Sequence, residues 1–423
     1  MSGDPDFPDD PWDDDPPGED PLSGDPLGGD PRNEDAEAGI EEDAGIEEDD
    51  AAFTDTLAGD PVPEAVTPPA IVPTADSAGP AAPPITVGGT VCPAGARTHV
   101  ELPVGRLPTE TWLSVPVEVV RGARPGPCVW LTAAIHGDEL NGVEVIRRVL
   151  ARVTCEKLRG TVLAVPIVNV FGFNARSRYL PDRRDLNRCF PGSPTGSLAS
   201  QLAHLLMTEV VAHGDVGLDL HTGSDHRFNL PQIRANLDDA QTLRLAEAFH
   251  APITMHAGVR DGSLRGAATG PSKPVLLYEA GEPQRFNGEC IEVGVRGVMN
   301  VLRVLDMMPP RSAASKAKRP DPTEPSVRVP SSQWVRAKRS GIFRPIANLG
   351  EQVPKGARLG GIADAFGRNR SSLKAPFDGV VIARVNNPLV HRGDGVVHLG
   401  RVEDLGSGIS DLGCDRSDTD TTT

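Results

Sequence analysis

Cysteine is sparse in this 423-residue chain and carries no pattern. The six residues Cys92, Cys128, Cys155, Cys189, Cys290 and Cys414 include no C-x-x-C pair and no dense framework, so they read as buried or incidental thiols of a reducing compartment. Long apolar runs are missing as well. Nothing approaches the ~18 uninterrupted apolar residues of a membrane span, and no membrane partner is expected. The first residues, Met1 to Pro5, are acidic where a secretory leader is basic and then apolar, which makes the cytoplasm the expected location. Positive charge is scarce at both ends. Residues 1–90 carry 25 acidic side chains against one arginine, and residues 403–423 carry six against one. The formal net charge of −17 therefore belongs to the ends, and the body between them is net positive. Such a split favours solubility and says little about fold.

Apolar residues are too few in residues 1–86 to offset chain entropy, and Asp-Pro and Gly-Asp pairs dominate there. One short unit is duplicated, Ala38-Gly-Ile-Glu-Glu-Asp43 followed by Ala44-Gly-Ile-Glu-Glu-Asp49. A disordered acidic tail is expected over 1–86. From Ile85 the texture changes. Thr98–Pro103 and Trp112–Val120 alternate apolar and polar residues and predict a β-hairpin or meander. Strands and helices then alternate. Val129–Ile135, Gly160–Asn169, Val216–Leu220 and Lys273–Glu279 read as buried strands. Helices are expected from Glu139 or Asn141, and over Leu198–Val211, Leu237–Phe249 and Gly288–Leu305. This order predicts an α/β domain over 87–308, with a mixed, mostly parallel sheet and flanking helices. Residues 309–333, rich in Pro, Ser, Lys and Arg, read as a linker. Residues 334–402, with short strands broken by glycine turns, read as a small all-β unit, and 403–423 as a second disordered tail.

Three of the four buried strands end in residues suited to metal-assisted hydrolysis. The first runs into His136-Gly-Asp-Glu139, the third ends at His221, and the fourth at Glu279. Two imidazoles and a carboxylate make a three-ligand zinc site with a fourth position left for water. A second carboxylate, outside the ligand set, is needed to take the proton and pass it to a leaving nitrogen, and Glu279 is the candidate. The loop Arg178–Arg188 supplies what a bare zinc site lacks. A developing oxyanion needs a nearby cation and an anionic substrate a guanidinium for its carboxylate, and Arg178, Asn187 and Arg188 are the candidates for both. No aromatic interleaving or basic helix accompanies these arginines, which argues against nucleic acid as a partner.

His136-Gly-Asp-Glu139, the Arg178 to Asp185-Leu-Asn-Arg188 run, Asp219-Leu-His221-Thr-Gly and Glu279 together resemble the succinylglutamate desuccinylase/aspartoacylase family, a deacylase branch of the zinc carboxypeptidase-like hydrolases. The similarity covers about residues 90–402. It implies one zinc ion per chain on His136, Glu139 and His221, with Glu279 as general base and acid. It makes Arg178 the polariser of the scissile carbonyl, a role that Arg183 or Arg184 is also placed to fill. It gives Asn187 and Arg188 a substrate carboxylate to hold. The activity implied is removal of an acyl group from an N-acyl amino acid or a similar small anionic amide. A homo-oligomer is compatible with this reading. The all-β unit fits the family's β-rich cap. Its Lys374-Ala-Pro-Phe-Asp-Gly379 is similar to biotinyl/lipoyl carrier domains, but the carrier lysine would fall at Arg368, so a cap is expected rather than a carrier. Two other readings stand beside this one: a zinc carboxypeptidase acting on peptides, and a metal-binding scaffold without turnover. An intact Glu279 argues against the scaffold.

Overall fold

The computed structural model describes residues 83–270, 272–313 and 325–402. Most of the expected 1–86 tail and all of 403–423 lie outside that range. Four strands run parallel and adjacent in the order Arg159–Val165, Arg124–Ala133, Val216–His221 and Val275–Gly281. Their side chains alternate between two covered faces, which is why they read as nearly continuous apolar runs. Val129, Leu131 and Ala133 pack with the apolar sides of helices Asn141–Leu150, Ala240–Phe249 and Gly288–Val304. Trp130, Leu163 and Val165 pack on the other face with helix Leu198–Glu209. Side-chain caps set two helix starts: Ser197 accepts from the Ser200 amide, and Asp239 from the Thr242 amide.

Antiparallel strands extend this sheet on both sides. The hairpin Arg97–Arg106 and Trp112–Arg121 adds to Arg159–Val165. On the opposite side, Arg227–Ala235 runs antiparallel to Val275–Gly281 and pairs in parallel with Ile253–His256. The outcome is one mixed sheet of 13 strands with flanking helices, the mixed α/β class expected from the sequence. The extra β region at the carboxyl end is also present. Its strands Gly379–Val385, Gly395–Arg401 and Ser332–Arg336 continue the same sheet, because Gly379–Val385 hydrogen-bonds to Arg227–Ala235. A second sheet, Ser371–Lys374, Arg358–Ala363, Gly341–Pro345 and Leu389–Val390, completes a sandwich around Phe343, Leu359, Ile362, Val381 and Leu399. A smaller cluster of Leu230, Ile253, Val329, Val380 and Ile382 joins the two regions. The stretch read as a linker contains the strand Val327–Val329, which pairs with Ile253–His256; residues 314–324 of it lie outside the described range. No helix among the described residues is long and apolar enough to cross a membrane.

Candidate metal centre

Close backbone approaches place the His136-Gly-Asp-Glu139 turn. After the strand Arg124–Ala133 the chain bends at Ala134, whose φ of +50° lies in the left-handed region, and the Glu139 amide then donates to the His136 carbonyl at 3.1 Å. At Gly137 a Cβ would lie 2.0 Å from the backbone carbon of Gly172, so only glycine lets the turn rest on helix Val170–Ala175. Gly142 does the same for the next element. A Cβ there would sit 2.8 Å from the Cβ atoms of both Ala133 and Leu220, so glycine lets helix Asn141–Leu150 start against the two strands that carry His136 and His221.

His136, Glu139 and His221 are buried and converge, each offering a ligand atom within 4.8 Å of the others. His136 Nδ1 lies 2.6 Å from Glu139 Oε1, and His221 Nδ1 lies 2.9 Å from Glu139 Oε2. The opposite ring nitrogens are held by carboxylates. His136 Nε2 is 3.1 Å from Asp185 Oδ1, and His221 Nε2 is 2.9 Å from Asp219 Oδ2. Those carboxylates are anchored in turn. Thr132 Oγ1 donates to Asp219 at 2.7 Å, and the Asn187 amide and the Arg178 guanidinium both donate to Asp185 at 2.8 Å. This is the outer shell that fixes ring orientation at a metal site.

Charge tells the same story. Burial by itself would strip the proton from both rings, but Glu139 and Asp185 around His136, and Asp219 and Glu139 around His221, outweigh it and hold both imidazoles above their ordinary value. Burial likewise works against the ionised form of Glu139 and Asp185, yet the neighbouring imidazoles, joined at Asp185 by Arg178, keep both carboxyls well below the usual range. Three carboxylates against one guanidinium are balanced by the protons on the two imidazoles, and a divalent cation bound by the neutral rings would take the place of those two protons. The donor set fits such an ion: nitrogen and oxygen atoms, three ligands, carboxylate-backed rings.

Glu279 is paired directly across from His221 in the parallel ladder. Its Oε2 accepts from Asn229 Nδ2 at 2.7 Å, and Arg234 Nη1 stands 3.9 Å from its Oε1. Burial raises its carboxyl above the ordinary glutamate value, with Arg234 and His221 pulling the other way. Arg178 reaches Glu139 Oε1 at 3.4 Å and grips Asp185, so it lies beside the cluster. Arg184 points elsewhere, with its Nε 3.9 Å from Asp182, and Arg183 is exposed. Asn187 Oδ1 accepts from the Leu264 amide at 2.8 Å, and Arg188 Nη1 donates to the Asn187 carbonyl at 2.8 Å. Asp185 and Asp219 lie inside the sequence motifs without a part assigned there, and Thr132, Asn229 and Arg234 lie outside those motifs. Asp219 stands two residues before His221 on one strand, a spacing that puts both on the same face and was a usable signal.

An α/β sheet with a His-Glu-His cluster that could hold a metal ion at the ends of its parallel strands, and a further carboxylate on the next strand, has the residues of a candidate hydrolytic centre. The chain belongs to the succinylglutamate desuccinylase/aspartoacylase family. Residues 125–305 match the model of the succinylglutamate desuccinylase/aspartoacylase catalytic domain. The chain is 30% identical over 307 residues to N-alpha-acetyl-L-2,4-diaminobutyric acid deacetylase of Halomonas elongata, covering 69% of this chain and 87% of that protein. The crystal structure of a succinylglutamate desuccinylase/aspartoacylase from Rhodobacter sphaeroides superposes with a TM-score of 0.66 at 28% identity, covering 73% of this chain and 96% of the other. A succinylglutamate desuccinylase from Silicibacter sp. TM1040 shares the fold with a TM-score of 0.65 at 24% identity, over 73% and 94% of the two chains. These homologues are deacylating hydrolases that act on amide bonds.

Proposed function

We propose that this protein is a zinc-dependent amidohydrolase that removes the acyl group from an N-acyl amino acid or a similar small anionic amide. The observation that carries the reading is the meeting of His136, Glu139 and His221 within 4.8 Å, with Glu279 on the strand next to His221. Zinc held by those three residues would supply Lewis acidity to the attacking water and the scissile carbonyl. Glu279 takes the proton from that water and returns it to the leaving nitrogen. Asn229 holds the Glu279 carboxylate at Oε2, so the other oxygen is the one presented to water. A carboxyl raised by burial is a stronger base than an exposed one and takes the proton more readily, while it stays acid enough to return it to the far more basic leaving nitrogen. Arg178, steadied by Asp185, directs positive charge toward the carbonyl oxygen as it turns anionic.

Asn187 and Arg188 bind the substrate carboxylate. Because Asn187 Oδ1 is occupied by the Leu264 amide, its side-chain amide group is the end directed to the substrate. The substrate is a small molecule, not nucleic acid or membrane. The five cysteines among the described residues are free thiols, which suits the cytoplasm. The zinc carboxypeptidase reading shares this chemistry and differs in substrate size; the family relationship and the β region continuous with the sheet favour the small substrate. The test is metal analysis together with a screen of N-acetyl, N-succinyl and other N-acyl amino acids. About one zinc per chain and turnover of at least one N-acyl amino acid are expected. Turnover of C-terminal peptide substrates alone would select the peptidase reading, and zinc without turnover the scaffold.

A further inference from the structure

Glu279 has a row of polar neighbours on the adjacent strand Arg227–Ala235. Asn229 and Arg234 address its two oxygens. Between them, Gln232 stands directly across from Glu279 in the antiparallel ladder, as Glu279 stands directly across from His221 in the parallel one. Residues paired this way project from the same face of a sheet. His221, Glu279 and Gln232 therefore form one row over three strands. Gln232 is wholly buried, and among the described residues neither its Nε2 nor its Oε1 has a hydrogen-bond partner. Arg234 Nε is likewise buried without a partner. A buried polar group without a partner forfeits its hydration and gains nothing in return. A strand that places a carboxamide there, where leucine would fill similar volume at no such cost, is explained by a ligand that meets it.

We propose that Gln232 is a specificity-determining residue that hydrogen-bonds a polar, non-cationic group on the amine half of the substrate. This rests on the deacylase reading. Glu279 delivers its proton to the leaving nitrogen, so the group carried on that nitrogen lies on the Glu279 side of the metal cluster, along the row that ends in Gln232. A carboxamide offers both donors and an acceptor, which match a carboxylate, a carboxamide or a hydroxyl. Arg234 beside it repels an ammonium, so an N-acyl diamino acid is the poor fit.

The test uses the zinc-loaded full chain and four substrates: the N-acetyl derivatives of L-glutamine, L-glutamate and L-norleucine, and Nα-acetyl-L-2,4-diaminobutyrate. Wild type is expected to favour the glutamine and glutamate derivatives over the diamino one by about tenfold or more in kcat/KM. Gln232→Leu is expected to cut the preference for the glutamine over the norleucine derivative about tenfold, through KM. Thermal unfolding is followed alongside. Should Gln232→Leu fail to fold, Gln232→Glu, of the same length, is expected to move the ranking toward the diamino substrate. A ranking indifferent to residue 232, or a wild type that prefers the diamino substrate, overturns the proposal while leaving the deacylase reading intact. Turnover of none of these or other N-acyl amino acids overturns both.

Discussion

At the scale of single residues, two carboxylates with different surroundings are assigned different work. Glu139 lies between two imidazoles and stays ionised, as a ligand must. Glu279 is held by one neutral amide and a more distant guanidinium, and burial lifts its carboxyl above the 4.5 of an ordinary glutamate. The active form of a base is the ionised one, so kcat falls as pH drops through the raised value, and the acid limb of the kcat–pH profile is expected above 4.5. Glu279→Gln is expected to keep its zinc and lose kcat by about 10²–10⁴-fold. Near-normal turnover in that variant would exclude Glu279 as the proton carrier. Asp219 acts one bond further out, through the 2.9 Å contact to His221 Nε2. Asp219→Asn is expected to weaken zinc affinity by about 10–100-fold in competition with a chelator. His221→Ala should retain no zinc under the same conditions.

At the scale of elements, the centre depends on how closely a turn can approach a helix. Gly137→Ala drives a methyl group into the Gly172 backbone, where no side chain can swing aside. We expect a loss of about 1–3 kcal/mol in chemical denaturation, together with weakened zinc binding, because the displaced turn carries His136 and Glu139. A variant of wild-type stability and full zinc content would show that the turn has room to move.

The elements also show what a sequence discloses. Helix Gly288–Val304 and the parallel strands were legible because burial on one side or on both leaves a strong apolar pattern. The residues of the His136, Glu139 and His221 cluster were legible because they fall at or just beyond the ends of those strands. Strand Arg227–Ala235 was not. Pro231 interrupts it, and Asn229, Gln232 and Arg234 put polar side chains where an apolar pattern would have announced a strand. Those polar side chains face Glu279. The sequence therefore turned opaque where local rules give way to the needs of the site. The helix Val170–Ala175, between the expected strand Gly160–Asn169 and the loop Arg178–Arg188, is a milder case: six residues leave too little periodicity to see.

At the scale of the whole molecule, the carboxyl-terminal β region shares hydrogen bonds with strand Arg227–Ala235, the neighbour of Glu279. Ala383 pairs with Asn229 across the ladder, Asn386 donates to the His226 carbonyl at 2.8 Å, and its side chain donates to Glu282 at 2.9 Å. The segments following His221 and Glu279 are thus both tied to this region. His398 records the junction electrostatically. Its ring stacks on Trp334 with centroids 4.5 Å apart, its Nε2 lies 2.9 Å from Ser332 Oγ, and the Arg227 guanidinium lies over the Trp334 ring, 5.1 Å from its centroid. Burial first, then Arg234 and Arg227, drive the His398 pKa well below the ordinary 6.5. The folded protein therefore binds fewer protons at this ring than the unfolded chain does. Stability from this residue is complete above 6.5 and is lost as pH falls below it, by up to about 1.4 kcal/mol per pH unit. His398→Phe keeps a ring on Trp334 and removes the titration. Denaturant unfolding between pH 7 and pH 5 is expected to show a shallower loss of stability in that variant than in wild type. Equal slopes would mean that His398 accepts its proton in the folded protein as easily as in the unfolded one, and that the arginines on the catalytic sheet do not reach across the junction.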